Sequence, residues 1–348
     1  MSKFLNDKFK DITPYSTSDE INYNVIRLNT NESPYKPSKL IYERINNAID
    51  NLNFYSDPDC NKLGEKLSGM FNINKSQILF GNGSDEILNF IFTAMCQDGA
   101  AFPNITYSFY KVLAEVHGVN YKLIPLQNFK IVPENYFNLN RTIFIANPNA
   151  PTGLFLSLSE IEKILIHNSN NLIVIDEAYI DFGAESAIKL IEKFENILIV
   201  RTFSKSRSLA GARLGFCVGN ENLINDLRNI KNSIAPYNIN ALTQVAGLAV
   251  LDDEEYTQKN LIEICNTREK VYNELNNLGF NVLESKTNFL FARHENFTGQ
   301  EIHNILMRNN IAVRHFTKPE EISNFIRITI GTPDQMKLML EVLKNALR

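Results

Sequence analysis

The feature that most constrains this chain is a series of short, almost wholly apolar runs set between longer amphipathic ones. Residues 77–80, 142–146, 172–175 and 197–200 are such runs. They are too short for buried helices and suit strands covered on both faces. Residues 85–95 bring Ile87, Leu88, Ile91, Ala94 and Met95 to one helical face. Residues 38–51, 60–71, 107–117 and 158–167 also read as helices, and 121–125 as a strand. This alternation predicts an α/β fold with a largely parallel sheet covered by helices. Beyond Pro236 the pattern changes. Residues 238–278 are helical with a break near 251–253. Strands at 288–292, 311–314 and 325–330, a helix at 299–307 and a last helix from Pro333 then read as a smaller α+β domain. The expected division is an N-terminal arm (1–37), a large domain (38–237) and a small C-terminal domain (238–348), a size that suits two domains.

Composition removes several classes of function. The formal net charge is -4, with no basic block to draw the chain to nucleic acid or an anionic membrane. Cys60, Cys96, Cys217 and Cys265 are scattered, with no CxxC pair and no histidine at ligand spacing. Neither a disulfide framework nor a zinc site is expected, and a reducing cytoplasm fits. The first residues, MSKFLNDKFKDITPY, lack the apolar stretch of a signal peptide. No apolar run reaches the roughly 20 residues needed to span a bilayer.

Several segments carry possible chemistry. RTFSKSRSLAGARLGF (201–216) follows an apolar strand, so Ser204, Lys205 and Arg213 fall where ligands bind in open α/β sheets. A lysine there can form an imine if it loses its proton, and Arg213 can fork onto a phosphate. Asp176 closes the strand of LIVIDEAYIDF, with Tyr179 three residues on. A carboxylate against a pyridine nitrogen keeps that nitrogen protonated. In FGNGSDEIL (80–88) a glycine turn leads into a helix, with Ser84 and Asp85 as capping types, and free N–H groups at such a terminus attract anions. TYSFY (106–110) offers Tyr107 as a flat stacking face. Arg314 and Arg327 lie in apolar strands of the second domain, where a charge needs a partner. Taken singly, each segment has a plainer reading: a surface lysine, a structural acid at a strand end, a capped turn, a core aromatic, an internal salt bridge.

Together, and in this order, ITPY (12–15), LNTNESPY (28–35), FYSDPDC (54–60), GNGSDE (81–86), TYSFY, NPNAPTG (147–153), DEAYIDF, RTFSKSRSLAGARLGF and FIRITIGT span almost the whole chain. The chain thereby resembles the fold-type I pyridoxal-phosphate enzymes, and among them the histidinol-phosphate aminotransferases. The resemblance implies that Lys205 carries pyridoxal phosphate as an imine, that Asp176 pairs with its ring nitrogen and that Tyr179 contacts its ring oxygen. It implies that Tyr107 stacks on the ring and that Ser84, Asp85, Ser204 and Arg213 surround the phosphate. Tyr55 would reach the cofactor phosphate of a neighbouring subunit, making a homodimer with shared sites. Arg327 would bind the carboxylate of glutamate or 2-oxoglutarate, and Tyr15 and Arg314 the phosphate of a small phosphorylated substrate. Two departures stand out. Most relatives carry asparagine before the PTG run, where this chain has Ala150, and Asn149 is the nearest replacement. The segment TPYSTSDE also lacks the commoner proline and glycine. A threonine-phosphate-type decarboxylase, an aminotransferase for another phosphorylated ketone or an aromatic amino acid, and a non-catalytic cofactor-binding protein are the competing readings.

Overall fold

The computed structural model describes residues 2–10, 12–14 and 25–347. Its strands are β1 (Ile26–Leu28), β2 (Ile78–Gly81), β3 (Ala100–Pro103), β4 (Tyr121–Ile124), β5 (Thr142–Ala146), β6 (Ile173–Asp176), β7 (Ile197–Thr202), β8 (Gly215–Gly219), β9 (Phe280–Val282), β10 (Phe289–His294), β11 (Ile311–His315) and β12 (Phe325–Thr329). The helices are α1 (Leu40–Ala48), α2 (Asn61–Phe71), α3 (Ser84–Ala94), α4 (Phe109–His117), α5 (Leu158–Ile166), α6 (Glu221–Ile234), α7 (Ala241–Asp252), α8 (Glu254–Asn277), α9 (Gly299–Arg308) and α10 (Pro333–Ala346).

Seven strands form the large sheet in the order β2-β8-β7-β6-β5-β3-β4. Only β8 runs against its neighbours. The apolar runs are buried on both faces, as their composition requires. Ile143, Ile145, Ile173, Ile175, Ile197 and Ile199 enter one core with α2, α5 and α7. The intervening Phe144, Val174, Leu198 and Val200 enter the opposite core with α3, α4 and α6. Side chains alternate along a strand, so each run must be apolar throughout to supply both cores.

The small sheet has the order β1-β11-β12-β10-β9. Its strand β1 comes from within the expected arm and pairs in parallel with β11, Ile26 opposite Ile311. A three-residue strand carries no readable periodicity, which is why residues 25–37 read as irregular. The expected boundary at 237 also differs from the packing. Ala246, Ala249, Val250 and Leu251 of α7 share the core of the large sheet, whereas Leu261, Ile264, Val271 and Leu275 of α8 pack with the small sheet. By packing, the division falls at the break near Asp253.

This architecture brings the carboxyl ends of β5, β6 and β7 to one edge, with Ala146 beside Asp176 and Asp176 beside Val200. Among the described residues no helix is long and apolar enough to cross a membrane, and no cluster of His, Cys, Asp or Glu could hold a metal ion.

Candidate active site

A cavity of about 400 Å³ opens at that strand edge, between the large sheet, the segment 29–32 and the strands β11 and β12. Ser84, Asp85, Tyr107, Asp176, Tyr179, Ser204, Lys205, Arg213, Arg314 and Arg327 all line it. They are spread along the chain from position 84 to position 327, and the fold brings all ten together.

Asp176 sits at the last position of β6 and is 4% exposed. It accepts a hydrogen bond from the Tyr110 hydroxyl (2.7 Å) and one from the Ala178 N–H (3.2 Å). Burial dominates these bonds and pushes its carboxyl up to about 6. A buried carboxylate of this kind calls for a cationic partner in the cavity, and a protonated ring nitrogen would supply one.

Lys205 lies in the loop after β7. That loop is fastened by Ser206, whose hydroxyl bonds Asp181, while Asp181 also pairs with Arg201 of β7. The Lys205 ammonium donates to the Thr30 carbonyl (3.2 Å) and stands 5.9 Å from the Tyr179 ring centre. Burial, and then the Arg327 guanidinium, lower it from 10.5 to about 8. The site therefore presents a lysine that is still mostly protonated at neutral pH but has a far larger neutral fraction than an ordinary lysine, the form an aldehyde captures. Cofactor capture by the cofactor-free protein is expected to accelerate about tenfold per pH unit below about 8 and to level off above it. Stopped-flow absorbance at a series of pH values checks this.

The phosphate end is built by backbone geometry. The helix α3 begins at Ser84, and its N-cap is Gly83, with φ of 82° and no capping side chain. Ser84 and Asp85 thus occupy the first turn and are not caps, because only the glycine takes up this backbone readily. The first turn thus has no side-chain cap, and its residues Ser84 and Asp85 line the cavity, as an anion site at a helix start requires. Opposite them, Arg213 ion-pairs with Asp85 (2.9 Å), and Asp85 also accepts from the Tyr107 hydroxyl (2.9 Å). There is no room for a larger side chain here. A Cβ on Gly83 would lie 2.5 Å from the Arg213 guanidinium, and one on Gly215 would lie 2.5 Å from the Ser84 nitrogen. The cradle, the guanidinium, the acid and the lysine fit pyridoxal phosphate: the first turn of α3, Arg213 and Ser204 would hold its phosphate, and Tyr107 and Asp176 would meet its ring.

The charge balance suits anionic substrates. Lys205, Arg213, Arg314 and Arg327 face Glu32, Asp85 and Asp176. Glu32 is already paired with Arg27 outside the cavity (2.8 Å), while Asp85 and Arg213 pair with each other within it, leaving Lys205, Arg314 and Arg327 against Asp176. Arg314 and Arg327 are cross-strand partners on β11 and β12, and each guanidinium lies 5.8 Å from the Phe316 ring centre. Arg327 also donates to the Asn29 carbonyl (2.9 Å).

Two expected site residues, Asn149 and Tyr55, do not line this cavity. The Asn149 amide donates to the Ile105 carbonyl (3.0 Å) and the Thr152 hydroxyl (3.1 Å), and its oxygen accepts from Thr106 (2.8 Å). With both amide protons engaged and its side chain outside the cavity, it does not stand in for the asparagine absent at Ala150. Ala150 itself lines the cavity with a methyl group. Tyr55 is 83% exposed and stacks on Tyr237 (4.5 Å) outside its own chain's cavity. Tyr15 lies outside the described residues. The structure adds Tyr110, Thr30 and Asn31. Tyr110 sits within TYSFY and Asn31 within LNTNESPY, but no local pattern shows that a tyrosine 66 residues away meets Asp176.

Fold and cavity together define a fold-type I transferase. The sequence pattern of the aminotransferases of class I and II matches residues 23–343, and the chain belongs to that family. It is 48% identical over 354 residues to the histidinol-phosphate aminotransferase of Brachyspira hyodysenteriae, covering 100% of each chain. It is 42% identical over 352 residues to that of Clostridium acetobutylicum, again covering 100% of each. A solved histidinol-phosphate aminotransferase from Clostridium acetobutylicum superposes with a TM-score of 0.86 at 25% identity, over 93% of this chain and 99% of the other.

Proposed function

We propose that this chain transfers the amino group between L-histidinol phosphate and 2-oxoglutarate, giving imidazole-acetol phosphate and L-glutamate, a reaction of histidine biosynthesis. The observation that carries the reading is a single cavity lined by a low-pKa lysine, a buried aspartate and, beyond Arg213, two further arginines. Bound pyridoxal phosphate supplies an aldehyde for exchange with the substrate amine and a protonated ring that takes up the electron pair left at the α-carbon.

The residues divide the remaining work. Asp176, held by Tyr110, keeps the ring nitrogen protonated. Lys205, freed by the incoming amine, would take the substrate's α-proton and deliver it to the cofactor's aldehyde carbon instead of back to the α-carbon, as amino transfer requires. The Thr30 carbonyl is an acceptor that steers the free ammonium. Arg213, Ser204 and the first turn of α3 hold the cofactor phosphate, Tyr107 covers the ring and Tyr179 faces its oxygen. Arg327 binds the carboxylate of glutamate, and Arg314 with Tyr15 binds the substrate phosphate. Because donor and acceptor use one site in turn, the kinetics are ping-pong.

Tyr55 is assigned to the partner subunit's site in a homodimer. The stretch that carries it exposes Tyr42, Ile49, Leu52, Phe54 and Tyr55, an apolar surface for a second copy.

The two arginines give separable predictions. Arg327→Met is expected to raise KM for 2-oxoglutarate by about 10- to 100-fold, the worth of a charge-assisted hydrogen bond, with a smaller effect on L-histidinol phosphate. Arg314→Met should reverse that preference. Half-reaction titrations with each substrate check both. The reading as a whole is tested by assaying L-histidinol phosphate and O-phosphothreonine in parallel. Glutamate formed from the first with 2-oxoglutarate supports it. Carbon dioxide released from the second without amino transfer contradicts it.

A further inference from the structure

We propose that Asn31 is a positioning residue for this site: its amide makes the Tyr179 hydroxyl an acceptor and so aims the phenol's own proton into the cavity. This rests on the reading that Tyr179 faces the ring oxygen, and it concerns what holds the tyrosine in that role.

The polarity of the network follows from its members. The Asn31 N–H donates to the Thr329 hydroxyl (3.0 Å), so that oxygen is already an acceptor. The Thr329 proton is then directed to the Asn31 side-chain oxygen (3.1 Å). With its oxygen engaged, the amide cannot turn over, and its nitrogen donates to the Tyr179 hydroxyl oxygen (2.9 Å). The Tyr179 O–H is left to donate on the other side, into the cavity that Tyr179 and Asn31 both line.

Asn31 is rigidly held. It is 1% exposed, its φ is 56°, and the Asn288 amide caps its carbonyl (3.0 Å). Thr329 and Asn288 belong to the small sheet and its approach, while Tyr179 follows β6 of the large one. The orientation of the phenol is therefore set from across the domain boundary. On the opposite wall Ala150 and Ala146 offer only methyl groups, and Asn149 is turned away. The charged groups around the phenol are Arg327 from β12, Asp176 from β6, Asp85 from α3 and Lys205 from the loop after β7.

The test is the pH titration of the visible absorbance of the pyridoxal-phosphate-loaded protein, which a merely structural role would not move. Donation to the ring oxygen stabilises its anionic form, so losing that bond raises the midpoint. Tyr179→Phe is expected to raise it by about one unit, and Asn31→Ala by about half a unit in the same direction. The double variant should match Tyr179→Phe alone, because Asn31 acts through Tyr179. Thr329→Val, which frees the amide to turn, should shift the midpoint the same way and covers the case in which Asn31→Ala does not fold. An unmoved midpoint in the Asn31 and Thr329 variants, with Tyr179→Phe shifted, overturns the proposal and leaves the Tyr179 assignment standing. Additive shifts in the double variant also overturn it. An unmoved midpoint in Tyr179→Phe overturns both.

Discussion

Lys205→Ala is expected to give a folded protein that binds pyridoxal phosphate without the visible absorbance of a lysine-linked aldehyde, and that transfers amino groups at least about a thousandfold more slowly. Two functions are lost at once, since in the proposed mechanism the same nitrogen carries the cofactor and moves the α-proton. The fold should survive. The ammonium bonds only the Thr30 carbonyl among the described residues, and the loop is fastened independently through Ser206, Asp181 and Arg201. Removing a cation whose pKa is already depressed by burial takes away an unfavourable charge. Absorbance spectra and thermal unfolding of the same sample separate the outcomes. Visible absorbance that persists in a folded Lys205→Ala protein would place the imine on another residue.

Asp176→Asn should cost activity by about a hundredfold or more, since a neutral amide cannot hold the ring nitrogen protonated. Its effect on the cofactor-free protein should have the opposite sign. The folded carboxyl sits at about 6, above its ordinary 3.8. Between those values the folded protein keeps a proton that the unfolded chain has released. Stability contributed by this group therefore falls as pH rises from about 4 to about 6, and above that range the deficit is at most about 3 kcal/mol. Asparagine removes that penalty. The cofactor-free variant should thus unfold at higher denaturant than the cofactor-free parent at pH 7.5, and the advantage should vanish near pH 4. Urea titrations at the two pH values read this directly. A variant destabilised equally at both would mean that the acid is structural.

The large sheet was legible because strands buried on both faces must be apolar throughout, as residues 143–145, 173–175 and 197–199 are. β8 was overlooked because Gly215–Gly219 starts inside a segment already read for its lysine and arginines. Its antiparallel direction depends on pairing with β2 and β7, which no local pattern encodes. The helix α6 did carry a signal: Leu223, Ile224, Leu227, Ile230 and Ile234 repeat at helical spacing. For the site, the order of the motifs, and not any one of them, pointed to Lys205, Asp176, Arg213 and Tyr179, which the fold brings to one cavity. The motifs could not convey Thr30, which acts through a carbonyl, or the fate of Asn149. Its place beside Ala150 suggests a substitute, but its hydrogen bonds close on Ile105, Thr106 and Thr152, contacts that no local pattern encodes.

Borohydride reduction of the pyridoxal-phosphate-loaded protein, followed by peptide mapping, tests the central assignment most directly. A single pyridoxyl adduct on Lys205, absent when the cofactor is withheld, is the result this structure predicts. An adduct on any other lysine, or none at saturating cofactor, would contradict it.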